Sequence, residues 1–292
     1  MNVFFHSDDA CLSAESTSHI LRCWKEGALD GFSILANKDL LDLVADEMKE
    51  YAGTPARLSV HLNVTDLRPC LPPNDVPHLV TSTGNFRVSF FRALWMVSVG
   101  GKQKKNFLTQ IYNEWDAQIQ LVKTAMPSHE VAGLDSHNHL HMIPSLFAIT
   151  LQLAEKHHLK RVRVPVEPFY ISSLKHLLSW FYINNLAKWL VIKFFAFISG
   201  ARQSEKMQRA MGVLYSGNMF QENVKKGVSV AREKVSDSIE VIFHVGQSNE
   251  AELKGNVAST SAIKFFTSTK RANEYRAVQN LNNERKGTDH HY

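Results

Sequence analysis

Cysteine is scarce in this chain: Cys11, Cys23 and Cys70 are all there is in 292 residues. An odd number at these spacings forms neither a disulfide framework nor a zinc knuckle and suits a reducing, cytoplasmic setting. A strong charge of one sign is also missing. Thirty-three Lys and Arg stand against 28 Asp and Glu, a net charge of +5. That mild excess does not argue for nucleic acid, and no RNA- or DNA-binding signature accompanies it. Met1 to Asp9 contains neither a basic region nor a long apolar run, so no secretory signal is expected. Long apolar runs are lacking as well. The nearest approach is 176–198, whose longest stretch without Lys, Arg, Asp or Glu, His176 to Ala187, has 12 residues and includes Asn184 and Asn185. A spanning helix needs roughly 20 mostly apolar residues, so no transmembrane span is expected. The segment reads as a helix packed on the domain. A peripheral membrane contact, a substrate-gripping role and a homodimer contact stay open.

What is present suits one α/β domain. Hydrophobic residues make up 44% of the chain, enough for a large core. Short β-rich runs stop at a reactive side chain or a turn: Asn2 to His6 before Ser7-Asp8-Asp9, Gly31 to Ala36 before Asn37, Arg57 to Val60 before His61, Arg161 to Val164 before Pro165, and Ile239 to Phe243 before His244. Between several of them lie helical patterns, Ser13 to Glu26, Leu40 to Tyr51 and Phe107 to Thr124. Strands alternating with helices imply a parallel sheet with crossover helices. In a closed barrel of this kind, functional residues gather at the carboxyl ends of the strands. Lys102-Gln-Lys-Lys reads as a solvated turn before a helix.

The densest chemistry is Asp135-Ser-His-Asn-His-Leu-His141. Extended, it would place His137, His139, His141 and Asp135 on one face. Imidazoles crowded beside a carboxylate suit a divalent metal or proton transfer. Pro144 then opens a helical segment over Ser145 to His158.

These blocks together resemble the YdjC-like carbohydrate deacetylases. His6-Ser-Asp-Asp-Ala-Cys-Leu-Ser, Ser59-Val-His-Leu-Asn-Val-Thr, Leu79 to Phe86, Glu114 with Gln118, Leu134 to Pro144, Arg163-Val-Pro and Glu240 to His244 follow the family's order. Two positions depart from it. Cys11 stands where the family has a glycine, so a cysteine must meet a glycine's backbone demands. Val245 stands where the family has a proline, which should loosen the turn at His244.

The resemblance implies a distorted TIM-like (β/α) barrel over 1–280 with a helical insertion around 170–210, and the residues of 281–292 themselves read as a polar, disordered tail. The resemblance also implies hydrolysis of an acetylated amino sugar by an enzyme using a divalent ion, and the apolar segment 176–198 hints that the sugar is lipid-linked. By position the metal ligands are Asp9, His61 and His137. Asp8 is the candidate base and His244 the candidate acid. Asn37, Asp135, His139, His141 and Arg163 are candidates for orienting substrate or ligands. The resemblance favours magnesium; nitrogen and oxygen donors alone suit zinc, manganese or cobalt too. Another metal-dependent hydrolase on the same fold, or a non-catalytic glycan- or glycolipid-binding member, remains an alternative.

Overall fold

The structure is a computed structural model that describes residues 1–173, 179–235, 237–257 and 259–287. Seven strands, β1 (Asn2–Ala10), β2 (Gly31–Ile34), β3 (Leu58–Leu62), β4 (Val131–Ser136), β5 (Arg161–Val164), β6 (Met207–Met211) and β7 (Ser238–Phe243), are all parallel. They close into a barrel in chain order, with β1 paired to both β2 and β7. The surrounding helices are α1 (Ala14–Lys25), α2 (Lys38–Glu50), α3 (Phe90–Ser98), α4 (Gly101–Ala125), α5 (Pro144–Lys156), α6 (Trp180–Ile198), α7 (Gln221–Lys234), α8 (Glu250–Leu253), α9 (Thr260–Phe266) and α10 (Thr269–Gly287).

Local chemistry explains the boundaries. β3 and β4 bury every residue, as strands covered on both faces must. Gly133 lets β4 approach β3, because a Cβ there would collide with Ser59 Oγ. Ser13 Oγ caps α1 by accepting from the Ser16 amide at 3.2 Å. Pro144 occupies the first turn of α5, where its missing N–H costs nothing. The expected core faces hold for α1, through Ile20, Leu21 and Trp24, and for α4, through Ile111, Trp115, Ile119 and Val122.

Four features differ from expectation. Strand β6 was not foreseen: Met207-Gln-Arg-Ala-Met carries two long polar side chains and lacks a β-branched run. Lys102-Gln-Lys-Lys is the first turn of α4, since lysines on an exposed helix turn resemble a solvated loop. The polar tail does not begin at 281. Helix α10 continues to Gly287, burying Leu281 and Asn282, while Arg285 pairs with Asp30 at 3.1 Å and stacks over the Phe5 ring. Its charges have partners on the barrel, which polarity alone could not reveal. Residues 288–292 of that tail lie outside the described residues. Finally, α6 is long and apolar enough to cross a membrane by length and composition, with a mean hydropathy of 1.3 over 18 residues. The uninterrupted-run criterion missed it because Lys188 and Lys193 break a stretch that stays apolar on average. One such helix is weak support for a span; a third of that window is buried against the barrel.

Candidate active site

Three candidate ligands converge at the carboxyl end of the barrel. Asp9 lies where the β1–β2 register slips between Ser7 and Ala10, and its φ of 70° turns the chain there. His61 sits near the end of β3 and His137 in the turn His137–Met142 that follows β4. Asp9 Oδ1 is 3.0 Å from His137 Nδ1 and 3.5 Å from His61 Nε2. The ligand atoms of all three lie within 4.8 Å of one another, and each residue is buried.

Around them is a buried ionic lattice. His61 Nδ1 donates to Asp135 Oδ1 at 2.5 Å, which leaves Nε2 facing Asp9. This contact follows from strand register, because His61 and Asp135 are directly paired across β3 and β4. Ser33 Oγ donates to Asp135 Oδ2 at 2.6 Å. Arg163 on β5 donates through Nη1 to both oxygens of Asp8, at 2.7 and 2.9 Å. Its Nε reaches Glu240 Oε1 at 2.7 Å and its Nη2 reaches Asp135 Oδ2 at 3.0 Å. From α10, Arg271 Nη1 donates to Asp9 Oδ2 at 2.9 Å.

The field of this lattice favours positive charge. Asp8, Asp9, Asp66, Asp135, Glu240 and Glu274 are buried with only two arginines, Arg163 and Arg271, among them. Burial opposes a charged His61, but the carboxylates of Asp8 and Asp135 outweigh it and push its pKa up to about 10. Burial likewise opposes a charged His137, yet hydrogen bonds to Asp66 and Asp9 raise it to about 9. Burial also works against ionising Asp9, but His137, His61 and Arg271 hold its carboxyl well below the usual range. A field that favours protons here also favours a cation in their place. The donor set fits a divalent ion. Ligands about 2.1 Å from one ion stand roughly 3.0–3.4 Å apart at ordinary coordination angles, close to the observed 3.0 and 3.5 Å.

The histidine motif does not lie on one face as expected. β4 ends at Ser136, and Asn138 and His139 adopt left-handed backbone angles, φ 56° and 54°, so the three imidazoles diverge. His137 joins Asp9. The His141 ring lies between Ser136 Oγ at 2.7 Å and the Arg163 carbonyl at 2.8 Å, and burial lowers its pKa to about 4. His141 therefore braces β4 against β5. His139 is half-buried; desolvation, then His141 and Arg163, depress its pKa well below the ordinary value. Asn37 is a brace as well. Its Nδ2 donates to the Cys11 carbonyl at 3.0 Å and its Oδ1 caps α2 at the Asp39 amide, 3.3 Å away.

Both departures from the family pattern have structural answers. Cys11 keeps a glycine-like φ of 70° and is fully buried, at a conformational cost of about 1–2 kcal/mol. Its amide is held by Thr17 Oγ1 at 2.9 Å. Val245 supplies an N–H that proline lacks and donates it to Ser7 Oγ at 3.2 Å. The His244 amide donates to Glu274 Oε2 at 2.6 Å, and Gly246 at φ 83° packs against His19. The turn at His244 is thus tied down and not loosened.

Asp66, Arg271 and Glu274 were not foreseen in the sequence. Asp66 Oδ2 lies 3.4 Å from His137 Nε2. Arg271 and Glu274 sit in a polar helix whose pattern gives no face away. Glu114 and Gln118, by contrast, do structural work on α4. Glu114 accepts from the Cys70 and Leu71 amides, and Gln118 bonds both backbone groups of Asn63, bracing the loop beyond His61. Among the described residues, the side-chain atoms His139 Nδ1, His244 Nδ1 and Arg271 Nη2 are buried without a hydrogen-bond partner. Native interiors rarely leave such groups unmet, and three of them border this cluster.

Fold and cluster together define a parallel α/β barrel with a candidate divalent-cation centre at its strand ends. The chain belongs to the YdjC-like protein family, which it matches over residues 2–282. It is 30% identical over 162 residues to a carbohydrate deacetylase of Enterococcus faecalis, covering 54% of this chain and 56% of that protein. A carbohydrate deacetylase of Listeria monocytogenes is 25% identical over 157 residues, covering 54% and 58%. The chain thus spans little more than half the length of the curated relatives it matches. A crystal structure of a cellobiose-phosphate cleavage protein from Enterococcus faecalis shares the fold, with a TM-score of 0.64 at 18% identity over 95% of this chain and 94% of that one.

Proposed function

We propose that this chain is a metal-dependent carbohydrate deacetylase that hydrolyses the N-acetyl group of an amino sugar, releasing acetate and a free amine. The observation that carries the reading is the meeting of Asp9, His61 and His137 at one point. The names of the curated relatives support the substrate class. A divalent ion held by these three residues supplies Lewis acidity toward the amide carbonyl and acidifies water. The donor set accepts magnesium, favoured by the family, and also zinc, manganese or cobalt.

The remaining roles belong to the chain's own groups. Asp8 is the base: Arg163 fixes both its oxygens, and the carboxylate takes the proton of the attacking water. His244 is the acid: its Nδ1, without a hydrogen-bond partner among the described residues and 3.8 Å from Glu274 Oε2, would protonate the departing amine. Asp135 sets the orientation of His61, and Arg163 that of Asp8. His139 and Arg271 offer unmet donors or acceptors to the bound sugar.

Acetate release across a panel of N-acetylated amino sugars, with and without chelator, tests the reading. Asp9→Ala and His137→Ala should each lose bound metal and activity while keeping the wild-type circular dichroism. Full metal retention in either variant refutes the ligand set. Metal binding without acetate release points to another hydrolytic reaction, and no metal uptake at all to a glycan-binding member.

A further inference from the structure

The exposed face formed by α3 and α6 is the largest feature that the proposed chemistry leaves unused. On it Phe91, Phe197 and Trp180 are 80%, 77% and 75% exposed, and Phe194 and Trp95 are more than half exposed. Along α6 these residues recur at helical spacing on the side away from the barrel. The two helices form one surface, since Phe90 of α3 stacks on Phe195 of α6 with ring centroids 6.2 Å apart. The opposite side of α6 is fastened to the barrel. Tyr182 Oη donates to the Tyr170 carbonyl at 3.0 Å, Trp189 Nε1 to the Glu167 carbonyl at 3.0 Å, and Asn185 Nδ2 to the Ser216 carbonyl at 3.2 Å. A helix held this way lies flat on the domain, so its outer face is offered to something outside the molecule.

Charge identifies the occupant. Residues 76–113 and 168–204, which contain α3, the start of α4 and α6, hold nine Lys and Arg and no Asp or Glu. The remainder holds 24 Lys and Arg against 28 Asp and Glu, so the chain's entire positive excess belongs to these two stretches. A second copy docking by two-fold symmetry would set like charge against like charge. An anionic bilayer surface instead accepts Trp and Phe at the level of its headgroups and attracts the surrounding lysines and arginines.

We infer that the α3–α6 face docks this protein on an anionic lipid surface. The docked face adjoins the active-site end of the barrel, because α3 and α6 both contact the His137–Met142 turn. An acetylated sugar carried on a lipid would then meet the barrel mouth at the membrane surface. The docking itself rests on exposed residues and not on the deacetylase reading.

Co-sedimentation of the full chain with vesicles tests the inference. Phosphatidylcholine vesicles containing about a third phosphatidylserine should bind the protein at low salt, and pure phosphatidylcholine much less. Raising salt to about 1 M, where the Debye length is ~3 Å, should weaken binding at least tenfold. Phe91→Ser/Phe194→Ser/Phe197→Ser should abolish it, and Lys102→Glu/Lys188→Glu should weaken it at least tenfold, with thermal melting unchanged in both. Binding unaffected by the triple substitution overturns the inference. So does failure to bind either vesicle. A stable dimer in sedimentation velocity that the triple substitution dissolves, without vesicle binding, assigns the face to a second copy instead. None of these readouts uses turnover, so they leave the deacetylase proposal standing or falling on its own test.

Discussion

Arg163→Gln should destabilise the barrel from its interior. Arg163 is 2% exposed and serves three buried carboxylates at once: Asp8, Glu240 and Asp135. Removing one partner of a buried ion pair typically costs about 3–5 kcal/mol, because the other charge stays buried and unpaired. With three carboxylates losing their shared guanidinium, the loss belongs at the upper end, near 5 kcal/mol, which for a chain this long lowers the melting midpoint by roughly 10 °C. The pH dependence gives a sharper signature. In the native protein burial opposes ionisation of Asp135 and Glu240, but Arg163 with His61 at Asp135, and His6 with Arg163 at Glu240, hold both pKa values below their ordinary positions. Their stabilisation is present above the unfolded carboxylate range and is lost only as pH falls through the depressed folded values. In the variant His61 and His6 remain, but burial loses the guanidinium that opposed it, so the folded pKa values of both carboxyls rise relative to wild type. The native variant then binds more protons than the native wild type, so the deficit relative to wild type should shrink as pH falls from 8 to 5. Urea denaturation with chelator present, repeated across that range, measures both effects. A deficit below about 1 kcal/mol, or one that does not change with pH, would refute the ionic-core account.

Three further outcomes separate roles at the barrel mouth. Asp8→Asn should keep the metal and lower turnover at least about 100-fold; near-normal turnover moves the base elsewhere. Asn37→Ala should cost about 1 kcal/mol of stability through the lost cap while KM stays within about twofold; a tenfold rise in KM without loss of stability would return Asn37 to the sugar. Cys11→Gly should change stability by no more than about 1 kcal/mol, because relief of the left-handed backbone offsets the lost side-chain burial. A calorimetric loss above about 2 kcal/mol would show that packing of the thiol dominates.

Where the sequence succeeded, the signal was local. Apolar runs such as Arg57 to Val60 and Ile239 to Phe243 end in polar residues because a barrel strand stops being covered at its carboxyl end. Asp9, His61 and His244 could therefore be put at strand ends before the strands were paired. The failures share one cause, which is that strand pairing and backbone handedness are decided by distant parts of the chain. Reading Asp135 to His141 as extended put three imidazoles together, but the left-handed angles at Asn138 and His139 turn them into three separate surroundings. Arg271 reaches Asp9 across 262 positions, from a helix with no apolar stripe to announce a face. Arg163 was legible as a strand residue, yet its triple pairing appears only when β5 stands opposite β1 and β7 in a closed barrel. Closure also gathers six carboxylates in the barrel's interior and mouth, from β1 (Asp8, Asp9), β4 (Asp135), β7 (Glu240), the loop after β3 (Asp66) and α10 (Glu274), and that surplus of negative charge is stable only while guanidinium groups, protons or a cation answer it.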